Sequence, residues 1–302
     1  MRRVLGVAHS PPAFDVPAGA CDCHVHIFGP YDRYPLDQDR VYTPSLASVD
    51  DLVGLQRALR IERVVIVQAS PQGTNNACLI DSLRTLNRIG DAARGVAVVE
   101  AATSDAELRQ LHEAGVRALR VNLQSYGTQD PCAGKRQLLE ASKRIADLRW
   151  HVQIYTNLGL LEAIQDTVRS LPTPLVVDHF ALASASRGTG QDGFQTLLQL
   201  AREGHVYVKL SAPYRITNRP DGMDGKPIAR ALIEANCDRM LWGTDWPHTG
   251  AWPGVPRARL TPEAFHPIDD GQQLNLLGRW ASRAELQKIL VDNPAQLFGF
   301  HA

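Results

Sequence analysis

The sequence repeats one pattern along most of its length: a short apolar run, rich in β-branched residues, followed by a segment of helical periodicity. Eight such runs occur, at residues 21–27, 63–68, 95–99, 116–122, 151–155, 174–178, 205–210 and 240–243. Apolar runs that alternate with helices are typical of a parallel sheet covered on both faces. Eight units in 302 residues predict an α/β protein with a closed (β/α)8 barrel, the TIM barrel. An open doubly wound sheet is the alternative, but no glycine-rich phosphate loop follows the early strands.

The barrel is predicted to occupy residues 19–302 as a single domain, after an N-terminal extension at residues 1–18. Two segments break the repeat, residues 28–50 and 247–280, and both are long and rich in Pro, Gly, Asp and aromatic residues. In barrels of this kind the loops that follow the strands build the functional face. We therefore expect both segments to lie as long loops over the C-terminal face.

Composition argues against several classes of function. The chain has 32 basic and 32 acidic residues, and a net charge of zero gives no support to a nucleic-acid or anionic-membrane partner. No apolar stretch approaches a membrane span, and the run after the first two arginines is shorter than a signal-peptide core. The five cysteines are scattered without a CxxC pair, and we expect Cys21 and Cys23 to be buried on the strand face opposite the histidines. These features favour a reducing, cytoplasmic location.

Polar, chemically versatile side chains follow seven of the eight predicted strands. His24 and His26 stand two apart on strand 1, so both side chains point to the same side. The others are Ser70 after strand 2, Arg120 and Asn122 on strand 4, Tyr155 on strand 5, His179 after strand 6, Arg215 after strand 7, and Asp245 and His248 after strand 8. The carboxyl ends of barrel strands meet at one rim, so this pattern predicts an active site there. His151 and His205 begin their strands and are expected to lie outside it.

Each candidate also has an ordinary explanation when it is taken alone. A strand histidine can be a satisfied core residue, and an aspartate such as Asp245 can cap a helix. An arginine at a strand end commonly forms a surface ion pair. The combination of a histidine pair on strand 1, a histidine after strand 6 and an aspartate after strand 8 favours a functional site.

This combination resembles the amidohydrolase superfamily. The stretches CDCHVHIFGP, VIVQASPQGTNNA, RALRVN, VVDHF and WGTDWPH are most similar to its lactone-hydrolysing branch, that of the 2-pyrone-4,6-dicarboxylate hydrolases, and the resemblance spans residues 19–299. It implies a hydrolase that opens the ester of a carboxylated lactone: a pyrone, a muconolactone or a sugar-acid lactone. A metal-dependent decarboxylase or a lactone isomerase on the same scaffold is the alternative. The non-catalytic alternative is a barrel that only binds a sugar acid or an aromatic acid.

The resemblance also suggests roles for the residues at the rim. We expect Asp245 to activate water as the general base, and His24, His26 and His179 to polarise the carbonyl group. The expected substrate-binding residues are Arg120, Arg215, Ser70, Tyr155, Tyr42, Asn122 and His248. Arginine is suited to this task because its guanidinium can bind a carboxylate with two hydrogen bonds.

The sequence departs from the superfamily pattern in its metal ligands. Two-metal members carry a bridging Lys or Glu on strand 4 and a histidine on strand 5, whereas this chain has Arg120, Asn122 and Tyr155 there. A two-metal centre is therefore not expected. A single Zn²⁺ is chemically reasonable, and its ligands would be His24, His26, Asp245 and His179. We expect no metal to be required.

A second departure concerns the substrate. The dicarboxylate hydrolases carry a further arginine just past strand 4, where this chain reads VNLQSYG and has no basic residue. Its absence favours a substrate with one carboxylate, or with a carboxylate placed differently. The expected partner is thus a small carboxylated lactone. The sequence leaves the oligomeric state open, a homo-oligomer included.

Overall fold

Eight parallel strands form a barrel in the computed structural model, which describes residues 2–88, 90, 92–217, 219, 221–251 and 257–301. The barrel strands β1–β8 are Cys21–Val25, Arg63–Val67, Ala93–Ala97, Val116–Asn122, His151–Tyr155, Leu175–Val177, Val206–Ser211 and Met240–Gly243. Each strand pairs in parallel with the next one along the chain. The barrel closes beyond β8, where the Asp245 amide donates to the His24 carbonyl at 2.9 Å and the His26 amide donates to the Trp246 carbonyl at 2.8 Å. The predicted TIM barrel is confirmed.

The observed strands differ from the predicted ones by a few residues at their ends. The largest difference is β3, which begins at Ala93 rather than at Gly95. Gly95 lies inside the strand. A glycine is needed there because a Cβ atom would lie 2.8 Å from the Leu83 side chain, which packs against this side of β3. The glycine therefore marks a close packing contact and not a strand end.

Helices cover the outside of the barrel. They are α1 Val49–Leu59, α2 Ala77–Leu86, α3 Asp105–Glu113, α4 Pro131–Ile145, α5 Leu158–Ala163, α6 Gln165–Arg169, α7 Phe194–Arg202, α8 Lys226–Asn236, α9 Asp270–Trp280, α10 Arg283–Gln287 and α11 Asn293–Phe298. The start of α3 shows why sequence can locate such helices. The Ser104 hydroxyl accepts from the Glu107 amide while the Glu107 carboxylate accepts from the Ser104 amide, a reciprocal cap. No helix within the described ranges is long and apolar enough to cross a membrane.

The two segments that break the repeat meet above the barrel. Thr43–Pro44 pairs in parallel with Pro262–Glu263, and the Ser45 hydroxyl donates to the Glu263 carbonyl at 2.8 Å. The second segment is shorter than expected, because its last eleven residues form α9. The residues before the barrel form a hairpin of Arg2–Val4 with Val7–His9.

The apolar cluster inside the barrel corrects the expectation for Cys21 and Cys23. Cys21 and Cys23 pack there with inward-facing residues of the neighbouring strands, such as Val65 and Val96. We expected them on the face opposite the histidines. The alternation of side chains breaks because the register between β1 and β2 shifts between Asp22 and Val25.

Asp22 links β1 to the end of β8 by hydrogen bonds. Its Oδ1 accepts from the amides of His24 at 3.1 Å and Thr244 at 3.0 Å, and its Oδ2 accepts from the Thr244 hydroxyl at 2.6 Å. Burial raises the pKa of Asp22 to about 7, although these hydrogen bonds oppose the shift. Gly243 permits this close approach, because a Cβ atom there would lie 2.8 Å from the His24 nitrogen and 3.2 Å from Asp22 Oδ1.

We expect Gly243→Ala to destabilise the protein by about 1–3 kcal/mol, since the added methyl group overpacks the contact between β1 and β8. Urea unfolding measures the change. The matched control is Gly190→Ala, at an exposed turn where a Cβ atom meets nothing within 4 Å. Equal stability of the two variants would contradict this account of barrel closure.

His151 gives the barrel a pH-dependent stability. It is 1% exposed, its ring lies edge-on to Phe298 at 4.8 Å, and neither ring nitrogen has a hydrogen-bond partner in the described part of the chain. Burial lowers the pKa of His151 to about 3. The unfolded chain binds a proton at this residue as pH falls through about 6.5, whereas the folded protein does not, so stability is lost as pH falls.

Between pH 7 and pH 5, this one histidine should remove about 2 kcal/mol of unfolding free energy. His151→Leu should therefore lose less stability than the parent protein over the same interval. Urea titrations of both proteins at the two pH values measure the difference. Parallel losses would show that His151 does not contribute.

Candidate active site

Three imidazoles converge on one carboxylate oxygen at the C-terminal rim. The Nε2 atoms of His24, His26 and His179 each lie 3.6 Å from Asp245 Oδ1. All four residues are at most 4% exposed. The structure therefore brings together the four residues that the sequence singled out, and it places them at the ends of β1, β6 and β8.

The backbone that carries two of these groups is strained. Asp245 has a φ of 68°, and the four residues from His179 to Leu182 have φ values between 49° and 56°. This left-handed region costs a residue with a side chain roughly 1–2 kcal/mol. Strain of this kind persists where the surrounding structure enforces it, and it is concentrated at functional sites.

The second oxygen of Asp245 is already bound. Oδ2 accepts from Arg215 Nε at 2.8 Å, from Arg215 Nη2 at 2.6 Å and from the Tyr214 hydroxyl at 2.7 Å. Burial would raise the pKa of Asp245, but the Arg215 guanidinium, aided by the histidines, holds it well below its usual range. Asp245 is thus an ionised carboxylate whose Oδ1 faces the three imidazoles.

The hydrogen bonds on the far side of the rings set the chemistry of two histidines. His26 Nδ1 lies 2.7 Å from the Val67 carbonyl, which can only accept, so Nδ1 carries a proton and the lone pair of the uncharged ring lies at Nε2. His179 Nδ1 lies 2.8 Å from the Ser211 hydroxyl. Burial lowers the pKa of His179 to about 4 despite the attraction of Asp245, so its ring is neutral at neutral pH.

A polar layer that sequence reasoning missed lies directly below the histidines. Lys209 on β7 is fully buried, and its Nζ contacts Gln153 Oε1 at 2.7 Å, His24 Nδ1 at 3.2 Å and Asp178 Oδ1 at 3.3 Å. Burial would raise the pKa of Asp178, but Lys209 and His24 hold it well below its usual value. The available signal was a lysine inside the apolar run HVYVKL.

A cavity of about 350 Å³ opens above this cluster. It is lined by His26, Tyr42, Ala69, Ser70, Arg120, Gln124, Ser125, Tyr155, His179, Arg215, Asp245, Thr249, Gly250, Ala251 and Arg257. Five of the seven expected substrate-binding residues are among them. Asn122 lines a neighbouring cavity of about 660 Å³ between β4 and α4. His248 is buried within the segment after β8 and does not line this cavity; its Nε2 contacts Asp270 Oδ1 at 3.0 Å.

Arg257 is a cavity residue without a sequence signal. It belongs to the long segment after β8, its guanidinium stacks 3.7 Å from the Tyr42 ring centre, and Glu263 accepts from its Nη2 at 2.7 Å. Neither periodicity nor strand position could have indicated it, because the described residues 257–261 form no helix or strand.

The residues of the cluster fit a single divalent metal ion. One ligand atom each from His24, His26 and Asp245 lies within 4.8 Å of the others, and nitrogen and carboxylate donors suit Zn²⁺. His26 has the tautomer of a metal ligand, with Nδ1 bonded to a carbonyl. A second group, His24, Asp178 and His179, does not fit a cation, because the Lys209 ammonium already lies beside Asp178.

Comparison with known proteins identifies the family. A family model described as Amidohydrolase matches residues 21–300, nearly the whole chain. The protein belongs to this amidohydrolase family. The resemblance noted from the sequence is thereby confirmed.

Two curated relatives of this amidohydrolase are named for lactone substrates. It is 38% identical over 300 residues to the 2-pyrone-4,6-dicarboxylate hydrolase of Comamonas testosteroni, covering 96% of this chain and 93% of that one. It is 34% identical over 297 residues to the 4-sulfomuconolactone hydrolase of Rhizobium radiobacter, with the same coverage of 96% and 93%. A solved structure from Agrobacterium tumefaciens superposes with a TM-score of 0.81 at 23% identity, covering 96% of this chain and 99% of that one, which supports the fold.

Proposed function

We propose that this amidohydrolase opens the ester bond of a carboxylated lactone, with a water molecule as the nucleophile and Asp245 as the general base. The observation that carries the proposal is the convergence of three imidazole Nε2 atoms on Asp245 Oδ1, each at 3.6 Å. The curated relatives, which are named as hydrolases of a pyrone and of a muconolactone, support the same chemistry.

The attacking water has two acceptors at the site. Asp245 Oδ1 is ionised, and His26 offers a lone pair at Nε2, so one water can donate a hydrogen bond to each. Both of its protons are then held by the protein, and an oxygen lone pair is left to face the substrate carbonyl. This arrangement orients the water for attack before the reaction begins.

Asp245 first accepts a proton from the attacking water and later returns it to the leaving oxygen. As the water oxygen bonds to the carbonyl carbon, Asp245 Oδ1 takes a proton, and negative charge develops on the carbonyl oxygen. N–H donors of His24 and His179 stabilise that charge, and a well-placed donor contributes roughly 3–4 kcal/mol. When the ring C–O bond breaks, Asp245 returns the proton to the leaving oxygen, so a carboxylic acid and a hydroxyl group are formed.

A divalent metal ion at this cluster would be held by His24, His26 and Asp245, with His179 as a fourth ligand. It would polarise the carbonyl group as a Lewis acid. The proposed reaction does not require it, because the residues themselves supply a base, an orienting acceptor and N–H donors.

Arg120 is the cation best placed to bind the substrate carboxylate. Arg215 is bound to Asp245 at 2.6 Å and Arg257 to Glu263 at 2.7 Å, so both are largely neutralised. Arg120 donates to the Gln68 carbonyl at 2.9 Å, and its nearest carboxylate is Asp178, 3.9 Å away and already paired with Lys209. The cavity, at about 350 Å³, has the size of a site for a small ring compound.

The proposal extends to the location of the protein. All five cysteines are free thiols. Unpaired cysteines suit a reducing compartment such as the cytoplasm, where a small soluble lactone would be the partner.

Asp245→Asn should lower kcat for lactone opening by roughly 10²–10⁴-fold, because the general base is lost while the shape of the side chain is kept. Acid release is followed over a panel of carboxylated pyrones, muconolactones and sugar-acid lactones, after dialysis against a chelator. Circular dichroism confirms folding. Asp192→Asn, at an exposed carboxylate, is the matched control. Near-parental turnover by Asp245→Asn would remove Asp245 as the base.

Arg120→Gln should raise KM for a carboxylated lactone about 10–100-fold, the cost of losing a hydrogen bond to a charged group. KM for the corresponding lactone without a carboxylate should change little. Arg117→Gln, on the same strand but hydrogen-bonded to the His112 and Val116 carbonyls, serves as the control. An equal rise for both lactones would show that Arg120 does not select the carboxylate.

A further inference from the structure

The ammonium group of Lys209 is completely buried beneath the site, and three acceptors surround it. Gln153 Oε1 lies at 2.7 Å, His24 Nδ1 at 3.2 Å and Asp178 Oδ1 at 3.3 Å from Nζ. The contacts with Gln153 and His24 are hydrogen bonds, whereas Asp178 Oδ1 forms an ion pair with Nζ and has no hydrogen-bond partner among the described residues. A buried charge without such partners would be strongly destabilising.

We propose that Lys209 is a positioning residue that fixes His24 in the tautomer with its proton on Nε2. Because Lys209 can only donate, His24 Nδ1 must accept, and the proton of the neutral ring must lie on Nε2. That Nε2 has no hydrogen-bond partner among the described residues and points toward Asp245 Oδ1 at 3.6 Å. His24 therefore offers an N–H donor to the reaction centre. The inference rests on the proposed function only where it assigns this donor to the substrate carbonyl.

Asp178 competes with Lys209 for His24 Nδ1. Its Oδ1 lies 3.3 Å from His24 Nδ1, the same distance as from Lys209 Nζ. In the absence of Lys209, His24 Nδ1 would carry the proton and donate to Asp178, which leaves a lone pair on Nε2. A histidine that binds a metal ion through one ring nitrogen commonly donates the N–H of its other nitrogen to a carboxylate in this way. Lys209 thus determines whether His24 acts as a donor or as a ligand.

Gln153 keeps this layer in one orientation. Its amide nitrogen donates to Asp178 Oδ2 at 3.0 Å while its carbonyl oxygen accepts from Lys209. Asp178 is therefore engaged from both sides, and Lys209 cannot turn away from His24 without losing a partner.

The neighbouring histidine is held in the opposite state. The Val67 carbonyl fixes the proton of His26 on Nδ1, so its Nε2 is an acceptor. Two histidines that stand two residues apart on β1 thus present opposite hydrogen-bonding groups to the cavity. In the proposed reaction, His26 therefore orients the water molecule, whereas His24 stabilises the charge on the carbonyl oxygen.

Long-range ¹H–¹⁵N spectra of histidine-labelled protein test the proposal directly, with His24 assigned by its loss in His24→Gln. We expect the parental protein to show a protonated Nε2 and an unprotonated Nδ1 at His24. In Lys209→Met the two nitrogens should exchange character. Zn²⁺ binding, measured by calorimetry, should become roughly tenfold tighter or more, since His24 then has the support of a metal ligand.

Two further variants keep the test decisive. Asp178→Asn removes the competitor and retains Lys209, so His24 should keep its proton on Nε2. Lys288→Met, at an exposed lysine paired with Asp238, should leave the spectrum unchanged. Should Lys209→Met fail to fold, the parental and Asp178→Asn spectra still decide the matter.

A parental His24 with its proton on Nδ1 would overturn the proposal, and so would a folded Lys209→Met with an unchanged tautomer. The spectra do not depend on catalysis. A protein with the expected tautomer and no lactone hydrolysis would therefore contradict the proposed function and leave the assignment of Lys209 intact.

Discussion

The contact between the first and the last barrel strand determines where the reactive groups lie. Asp22 binds the amide and hydroxyl of Thr244, and Gly243 leaves room for the β1 backbone to approach. The Asp245 amide can then bond to the His24 carbonyl at 2.9 Å. The segments that carry the histidine pair and Asp245 are thus joined directly through their backbones. The chemistry at the rim is in this sense a consequence of how the barrel closes.

The features that sequence predicted are those that follow from periodicity. Alternating apolar runs and helices gave the barrel, and the common direction of parallel strands placed His24, His179 and Asp245 at one rim. The shift of register within β1 has no sequence signal, which is why the expected side for Cys21 and Cys23 was wrong. The place of Arg257 in the cavity has no sequence signal, because residues 257–261 belong to no predicted strand or helix.

Lys209 shows a different limit of sequence reasoning. Its position in the largely apolar run HVYVKL was visible in the sequence. The direction of its side chain and the presence of Asp178 and Gln153 at the same height depend on the stagger of three strands. A lysine in a strand is ordinarily read as an edge or surface residue. Here the barrel interior supplies two hydrogen-bond acceptors and the Asp178 carboxylate, and these partners offset the cost of burying the charge.

The pairing of charges inside the barrel explains why an anionic substrate suits the cavity. Asp178 is paired with Lys209 and Asp245 with Arg215, so these two buried carboxylates already have a cation. Arg120 also lines the cavity, and its nearest carboxylate among the described residues, Asp178, lies 3.9 Å away and is already paired with Lys209. An uncharged ligand would leave this guanidinium poorly compensated in a site that excludes much of the solvent, whereas a carboxylate would complete the balance. The proposed preference for an acid therefore follows from how the protein pairs its own buried charges.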